Sequence, residues 1–157
     1  MKAFVSYSFK DSELHVITLL FEQLRKSGYI VETSFDGIPY ENDTNILNSD
    51  VFIGIITNDS SSIDYVMYEW GIANNNNVNN ILIIEDGVNV EDSESISFIR
   101  FNRKDPTPAI DKLFNIKRST PVKKEKSSNT LEKVIIAGGL IVGIAALIAL
   151  LSNGDKK

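Results

Sequence analysis

Short runs of unbroken apolar residues alternate, over the first 116 positions, with longer stretches in which apolar residues recur every three or four. The runs at residues 2–7 (KAFVSY), 29–33 (YIVET), 51–57 (VFIGIIT) and 81–84 (ILII) have the length and β-branched content of strands, and residues 97–101 suggest a fifth. Residues 51–57 carry no polar alternation, which predicts a central strand covered on both faces. Between the strands, Leu14, Ile17, Phe21 and Leu24 fall on one helical face, with Asp11 or Ser12 as the expected cap and Gly28 as the stop. Ile63, Val66, Trp70 and Ala73 define a second helix over 60–74, and residues 106–116 a third with Pro106 near its first turn. Strands alternating with helices predict an α/β fold with a central parallel sheet flanked by helices.

Two stretches stand apart from this alternation. Residues 34–44 are rich in turn formers, including Asp36, Gly37 and Pro39, and form a loop long enough to carry a function. Residues 74–80 (NNNNVNN) form an asparagine-rich loop at a helix end, where asparagine tolerates the left-handed conformation.

The pattern then changes kind. Residues 134–151 (VIIAGGLIVGIAALIALL) hold no charge and no strongly polar group. As a helix they extend roughly 27 Å, enough to cross a bilayer core, and no face carries the polar stripe of a soluble helix. The expected organisation is a folded domain at 1–118, a basic polar linker at 119–132, a transmembrane helix at 133–151 and a short tail at 152–157. Lys123, Lys124, Lys126 and Lys133 precede the span and Lys156 and Lys157 follow it. The larger basic group therefore places the domain in the cytoplasm, held to the cell membrane by a single pass and in contact with its lipid. A span with no intramembrane charge offers no pathway for a channel or pump. Gly139 and Gly143 make a small-xxx-small face that permits close helix contact.

Charge and composition narrow the chemistry. Residues 1–118 hold 10 Lys and Arg against 18 Asp and Glu, whereas residues 119–157 hold 6 against 3. An acidic domain lacks the footprint for phosphate-backbone binding, so no nucleic-acid partner is expected. With no cysteine and one histidine, His15 in the first helix, neither a disulfide framework nor a zinc tetrad can form, and no metal site is expected. No glycine-rich phosphate loop follows the first strand. A phosphoacceptor receiver needs an acidic pair after that strand and an aspartate ending the third, where Ser8-Phe9 and Thr57-Asn58 stand.

In an open parallel sheet, ligands bind beyond the C-terminal strand ends. Here those positions are Tyr7 to Phe9, Ser34 to Tyr40 and Asn58 to Ser61, aromatic and hydroxyl-rich in a way that suits a ring and a sugar. Glu69 interrupts the apolar second helix about 80° from the centre of its core stripe, with Tyr65 one turn earlier on the same side. A carboxylate at such a border can stabilise positive charge developing at an anomeric carbon. A solvated helix glutamate is the plainer reading of the same residue.

Four segments stand in the order expected of a Toll/interleukin-1 receptor (TIR) domain: Phe4-Val5-Ser6-Tyr7-Ser8, Asp36-Gly37-Ile38-Pro39, residues 49–57, and Asp64-Tyr65-Val66-Met67-Tyr68-Glu69. Over about three quarters of its length the chain thus resembles a TIR protein of microbial type, which implies a flavodoxin-like fold. In that family the second motif belongs to the BB loop that mediates self-association, and an aromatic-x-x-x-Glu pattern marks members that cleave NAD. The resemblance implies Glu69 as the catalytic residue, with Tyr7, Ser8, Phe9 and Tyr65 binding substrate and Asp36, Gly37, Ile38 and Pro39 in the self-association loop. NAD is then a substrate, no cofactor is needed, and homo-oligomers form through the domain. Ser8 and Phe9 stand where many catalytic members carry an arginine, and Tyr40 rather than glycine follows Pro39. Two other readings stay open: a non-enzymatic TIR-TIR signalling or scaffold module, and a nucleoside deoxyribosyltransferase-like enzyme, which also uses a glutamate in this fold class.

Overall fold

In the computed structural model, described over residues 1–8, 14–34, 42–58, 60–90 and 96–115, five strands form one parallel sheet. They are β1 (Lys2–Ser6), β2 (Ile30–Thr33), β3 (Val51–Ile56), β4 (Asn80–Glu85) and β5 (Phe98–Phe101), interleaved with helices α1 (His15–Lys26), α2 (Asp43–Leu47), α3 (Ser60–Asn75) and α4 (Thr107–Asn115). The spatial order is β2-β1-β3-β4-β5, and every neighbouring pair is parallel. The chain winds outward from β1 to β2, then returns past β1 to add β3, β4 and β5. The winding reverses between β1 and β3, which opens a crevice beyond their C-terminal ends.

Each sheet face is packed by its own helices. Ala3, Val5, Ile53, Ile55, Ile81 and Ile83 meet α1 and α4 through Val16, Ile17, Leu20, Leu24, Ile110 and Leu113. Phe4, Phe52, Ile56, Leu82 and Ile84 meet α2 and α3 through Ile46, Val66 and Ala73. All six residues of β3 are buried, as its unbroken apolar run predicts. Phe4 and Phe52 stack across the β1–β3 ladder with ring centroids 6.0 Å apart.

The ends of the elements follow local chemistry. Gly28, at φ +83°, closes α1: its N–H donates to the Arg25 carbonyl at 3.0 Å and the Tyr29 N–H donates to that of Leu24 at 3.0 Å, a Schellman arrangement. The start of α1 differs from expectation. Leu14, not Asp11 or Ser12, is the N-cap and makes no side-chain cap bond, so the helix is held by its buried stripe rather than by capping. His15 is exposed at its first turn. Asn77 takes φ 58°, the left-handed geometry anticipated for its loop. Asn80 is more than loop filler, since its side-chain oxygen accepts from the Trp70 indole N–H at 2.8 Å and ties α3 to the start of β4.

Gly54 sets the spacing of α3 on the sheet. A Cβ there would lie 2.5 Å from Leu82 Cδ2 and 2.7 Å from Val66 Cγ1, so the absence of a side chain is what lets Val66, and α3 with it, come down onto β3.

Among the described residues, no helix is long and apolar enough to cross a membrane. The segment expected to do so, 133–151 with Gly139 and Gly143, lies outside the described residues, as do the linker at 119–132 and the tail at 152–157.

Candidate functional site

Glu69 lies on α3 three residues after Val66, whose side chain is pressed against the sheet beneath Gly54. That close approach carries Glu69 inward, and it is 2% exposed. The carboxylate is therefore deeper than the edge of the core stripe at which its helical angle places it. Both oxygens are held from elements outside α3. The Ser34 hydroxyl, just past β2, donates to Oε2 at 2.7 Å. The Asn42 amide, at the N-cap of α2, donates to Oε1 at 2.9 Å and to the Tyr65 hydroxyl at 3.0 Å. Two acceptors at one amide nitrogen use both of its protons and fix the side chain's orientation.

Tyr65 completes the cluster. Burial is the largest cause that pushes its phenol pKa up to about 12; the Ser34 hydrogen bond opposes it, the neighbouring Glu69 charge and hydrogen bond add to the rise, and the Asn42 hydrogen bond opposes it least. The phenol stays protonated throughout the physiological range. Among the described residues, no Lys or Arg pairs with Glu69; its partners are a hydroxyl and an amide, both neutral. A buried carboxylate whose partners are all neutral has no cation beside it, and in a low-dielectric setting it acts strongly on any positive charge brought near.

Not every residue anticipated from the sequence comes to this cluster. Ser8 is buried just beyond β1, at the crevice. Tyr7 points to the opposite face, its ring set edge-on against Phe21 of α1 at 6.0 Å. The structure therefore brings Tyr65 and Glu69 together and leaves Tyr7 apart from them. Phe9, Asp36, Gly37, Ile38 and Pro39 lie outside the described residues. Asn42 was not singled out from the sequence, and nothing in its local pattern marks it. Its role depends on α2, a five-residue helix in what reads as the end of a loop.

A second carboxylate at the strand ends also escaped sequence reading. Glu85 reads as the start of an acidic loop, but it is the last residue of β4 and is 8% exposed. Arg103 grips it in two places, Nε to Oε1 at 2.6 Å and Nη2 to Oε2 at 2.8 Å, and the Asn58 backbone N–H donates to Oε2 at 2.8 Å. The Arg103 hydrogen bonds, more than the opposing burial, hold the carboxyl below its usual range. The group thus pins the turn after β3 to that after β5. Its signal was its position immediately after ILII, where an inward carboxylate needs a partner.

Because the folded-state pKa of Glu85 is lowered, its contribution to stability is present above the ordinary carboxylate value and is lost as pH falls through the depressed one. Glu85→Gln is expected to cost about 1–2 kcal/mol at pH 7, given the half-exposed Arg103. The variant's melting temperature should also fall less steeply than wild type below about pH 4.5. Parallel acid limbs in the two proteins would show that Glu85 gains nothing from its ionised partner.

Among the described residues, no group of three His, Cys, Asp or Glu side chains is arranged to hold a metal ion. No protein-family model matches the chain, and no curated protein sequence matches it significantly. Among solved structures it is similar to the crystal structure of CapF with the inhibitor 3-isopropenyl-tropolone, at a TM-score of 0.44 and 12% identity, over 65% of this chain and 30% of that one. The chain spans less than a third of that protein's length, and a likeness this slight carries no argument about fold or function.

Proposed function

We propose that the chain is a membrane-anchored NAD nucleosidase of flavodoxin-like TIR type, which cleaves the bond between nicotinamide and ribose when copies assemble on the membrane. The observation that carries this reading is Glu69, a buried carboxylate with neutral partners only among the described residues, set beside the β1–β3 crevice with Tyr65 against it. Nicotinamide in NAD is already cationic. When the bond from C1′ to the ring nitrogen breaks, both electrons go to that nitrogen, nicotinamide leaves neutral, and positive charge spreads over C1′ and the ring oxygen of ribose. Glu69 opposes that charge, and no general acid is required. Water adding at C1′ and losing a proton gives ADP-ribose; attack by the adenine ring instead gives a cyclic product.

Ser8 from just beyond β1 and Tyr65 from α3 are the described residues assigned to the pocket, with Phe9 next to Ser8 in the sequence. Tyr7 braces the strand end from the α1 side. Ser34 and Asn42 occupy both Glu69 oxygens in this conformation. Substrate hydroxyls replace them only when the cluster opens, which supports a quiet single copy and an active assembly. The loop with Asp36, Gly37, Ile38 and Pro39 then joins neighbouring domains, and Gly139 and Gly143 bring anchors together. Tethering to a surface raises the effective concentration of one domain near another, as a defence or cell-death effector triggered by clustering requires.

The test is surface density. On vesicles carrying the full chain at rising protein-to-lipid ratio, nicotinamide release per molecule should increase with density. Activity per molecule that is flat across a hundredfold range would remove self-association from the proposal. One observation favours a second reading, a non-enzymatic interaction module: saturation of Glu69 by Ser34 and Asn42 is also what a purely structural clamp between α3, β2 and α2 requires. Clustered wild-type protein inert toward NAD would select that reading.

A further inference from the structure

The geometry points to Ser6 as a ligand contact of the Glu69 site, a hydroxyl that bonds a sugar hydroxyl of the substrate and makes the site select ribose over 2′-deoxyribose. The inference rests on the reading of Glu69 as a sugar-facing carboxylate. Ser6 is the last residue of β1, at the point where the winding of the sheet reverses, and it is 0% exposed. Among the described residues, its Oγ has no hydrogen-bond partner. Glu32 Oε2 shares that condition, but it belongs to a carboxylate whose other oxygen pairs with Lys2 at 2.9 Å. Ser6 has no such compensation.

The direction of the side chain follows from the register. Ser6 pairs with Gly54, and residues paired across a parallel ladder project to the same side of the sheet. The Cβ direction at Gly54 runs into Val66 of α3, so Ser6 faces α3 as well, the face on which Glu69 is held. On its other flank, Val5 pairs with Thr33, which sets Ser34 beside Ser6 at the next step of the ladder. Ser34 is the residue whose hydroxyl donates to Glu69 Oε2. The Ser6 hydroxyl therefore stands one strand inward from Ser34, on the same face and at the crevice end.

A buried hydroxyl left unpaired costs stability that alanine, of nearly the same shape, would not. Ser6 can both donate and accept, and the neighbouring carboxylate only accepts. A sugar with adjacent hydroxyls suits such a pair, one hydroxyl donating to Glu69 and the next bonding Ser6. A 2′-deoxy sugar lacks one of the two, and a site built to bond a hydroxyl rejects the analogue without it.

The experiment uses the full chain clustered on vesicles at one high density, wild type and Ser6→Ala, with NAD and with NAD deoxygenated at the 2′ position of the nicotinamide ribose. Binding is read by thermal shift and turnover by nicotinamide release. Wild type should prefer the ribose form by at least about tenfold. Ser6→Ala should lose that preference by binding NAD more weakly, leave the deoxy form within about twofold, and melt no lower than wild type. Ser6→Thr, which keeps the hydroxyl, should keep the preference and guards against an effect of packing. Equal affinities of wild type and Ser6→Ala for NAD, or equal losses on both ligands, would overturn the inference. Nicotinamide release by wild type with the preference intact in Ser6→Ala would sink Ser6 alone, whereas a Ser6-dependent preference without any release would sink the reaction and leave the contact standing. Absence of binding to wild type would overturn both.

Discussion

Glu69→Ala is expected to lower nicotinamide release from NAD by about 10²–10³-fold, the scale on which losing one preorganised electrostatic group raises a charged transition state. The size follows from the setting. The carboxylate is 2% exposed, so little solvent screens it, and neither Ser34 nor Asn42 can replace its charge. Alanine also leaves the Ser34 hydroxyl and one proton of the Asn42 amide without the acceptor they had, a cost of about 1–3 kcal/mol. Glu69→Gln separates the two effects. It keeps the volume and one acceptor oxygen, so thermal melting should stay closer to wild type while activity falls as far as in Glu69→Ala. A glutamine variant retaining more than a tenth of wild-type activity would show that charge at this position is not what the reaction uses.

The second large effect is on folding. Gly54→Val places carbon atoms where Leu82 and Val66 already stand, at 2.5 Å and 2.7 Å for the Cβ alone, with both neighbours fully buried. The strand itself welcomes valine, so intrinsic propensity predicts a neutral or favourable change. Packing overrides it. Overfilling a close-packed layer costs about 1–3 kcal/mol, a fall in melting temperature on the order of 5–15 °C for a domain of this size. Because Val66 lies between Tyr65 and Glu69 in α3, lifting the helix also moves the site. Activity at a temperature where the variant remains folded should therefore drop with stability. A variant that melts with wild type would mean that α3 tolerates displacement and that Gly54 does not set its height.

The sheet was largely legible in the sequence because its inner strands β1, β3 and β4 are buried on both faces. Residues 51–57 read as a central strand and residues 81–84 as a further strand from apolar continuity alone, and they are β3 and β4. The helices α1 and α3 were also plain from apolar residues at helical spacing, although Leu14, Phe21, Ile63 and Trp70 of the expected stripes are only partly buried, and Val16 and Leu20 join Ile17 and Leu24 in the core. What sequence could not show is distance between elements. Tyr65 and Glu69 share a helical face and could be paired on paper, whereas Ser34 and Asn42 reach Glu69 only because β2 and α2 are packed against α3. Glu85 was obscured by the acidic residues that follow it, and its partner lies 18 positions away across the next strand. Tyr7 was drawn into the site by its place at a strand end. Alternation along β1 sends it to the other face, a parity that was countable beforehand from Phe4 and Val5.

The central claim is that Glu69 serves the cleavage of NAD, and the time course of nicotinamide release tests it most directly. Full-length wild type and Glu69→Gln, both shown by melting to be folded, are clustered on vesicles at the same density and incubated with NAD. Nicotinamide should appear in step with NAD loss for wild type, with release by Glu69→Gln reduced at least about a hundredfold. Equal release by the two proteins, or none from clustered wild type, would contradict it.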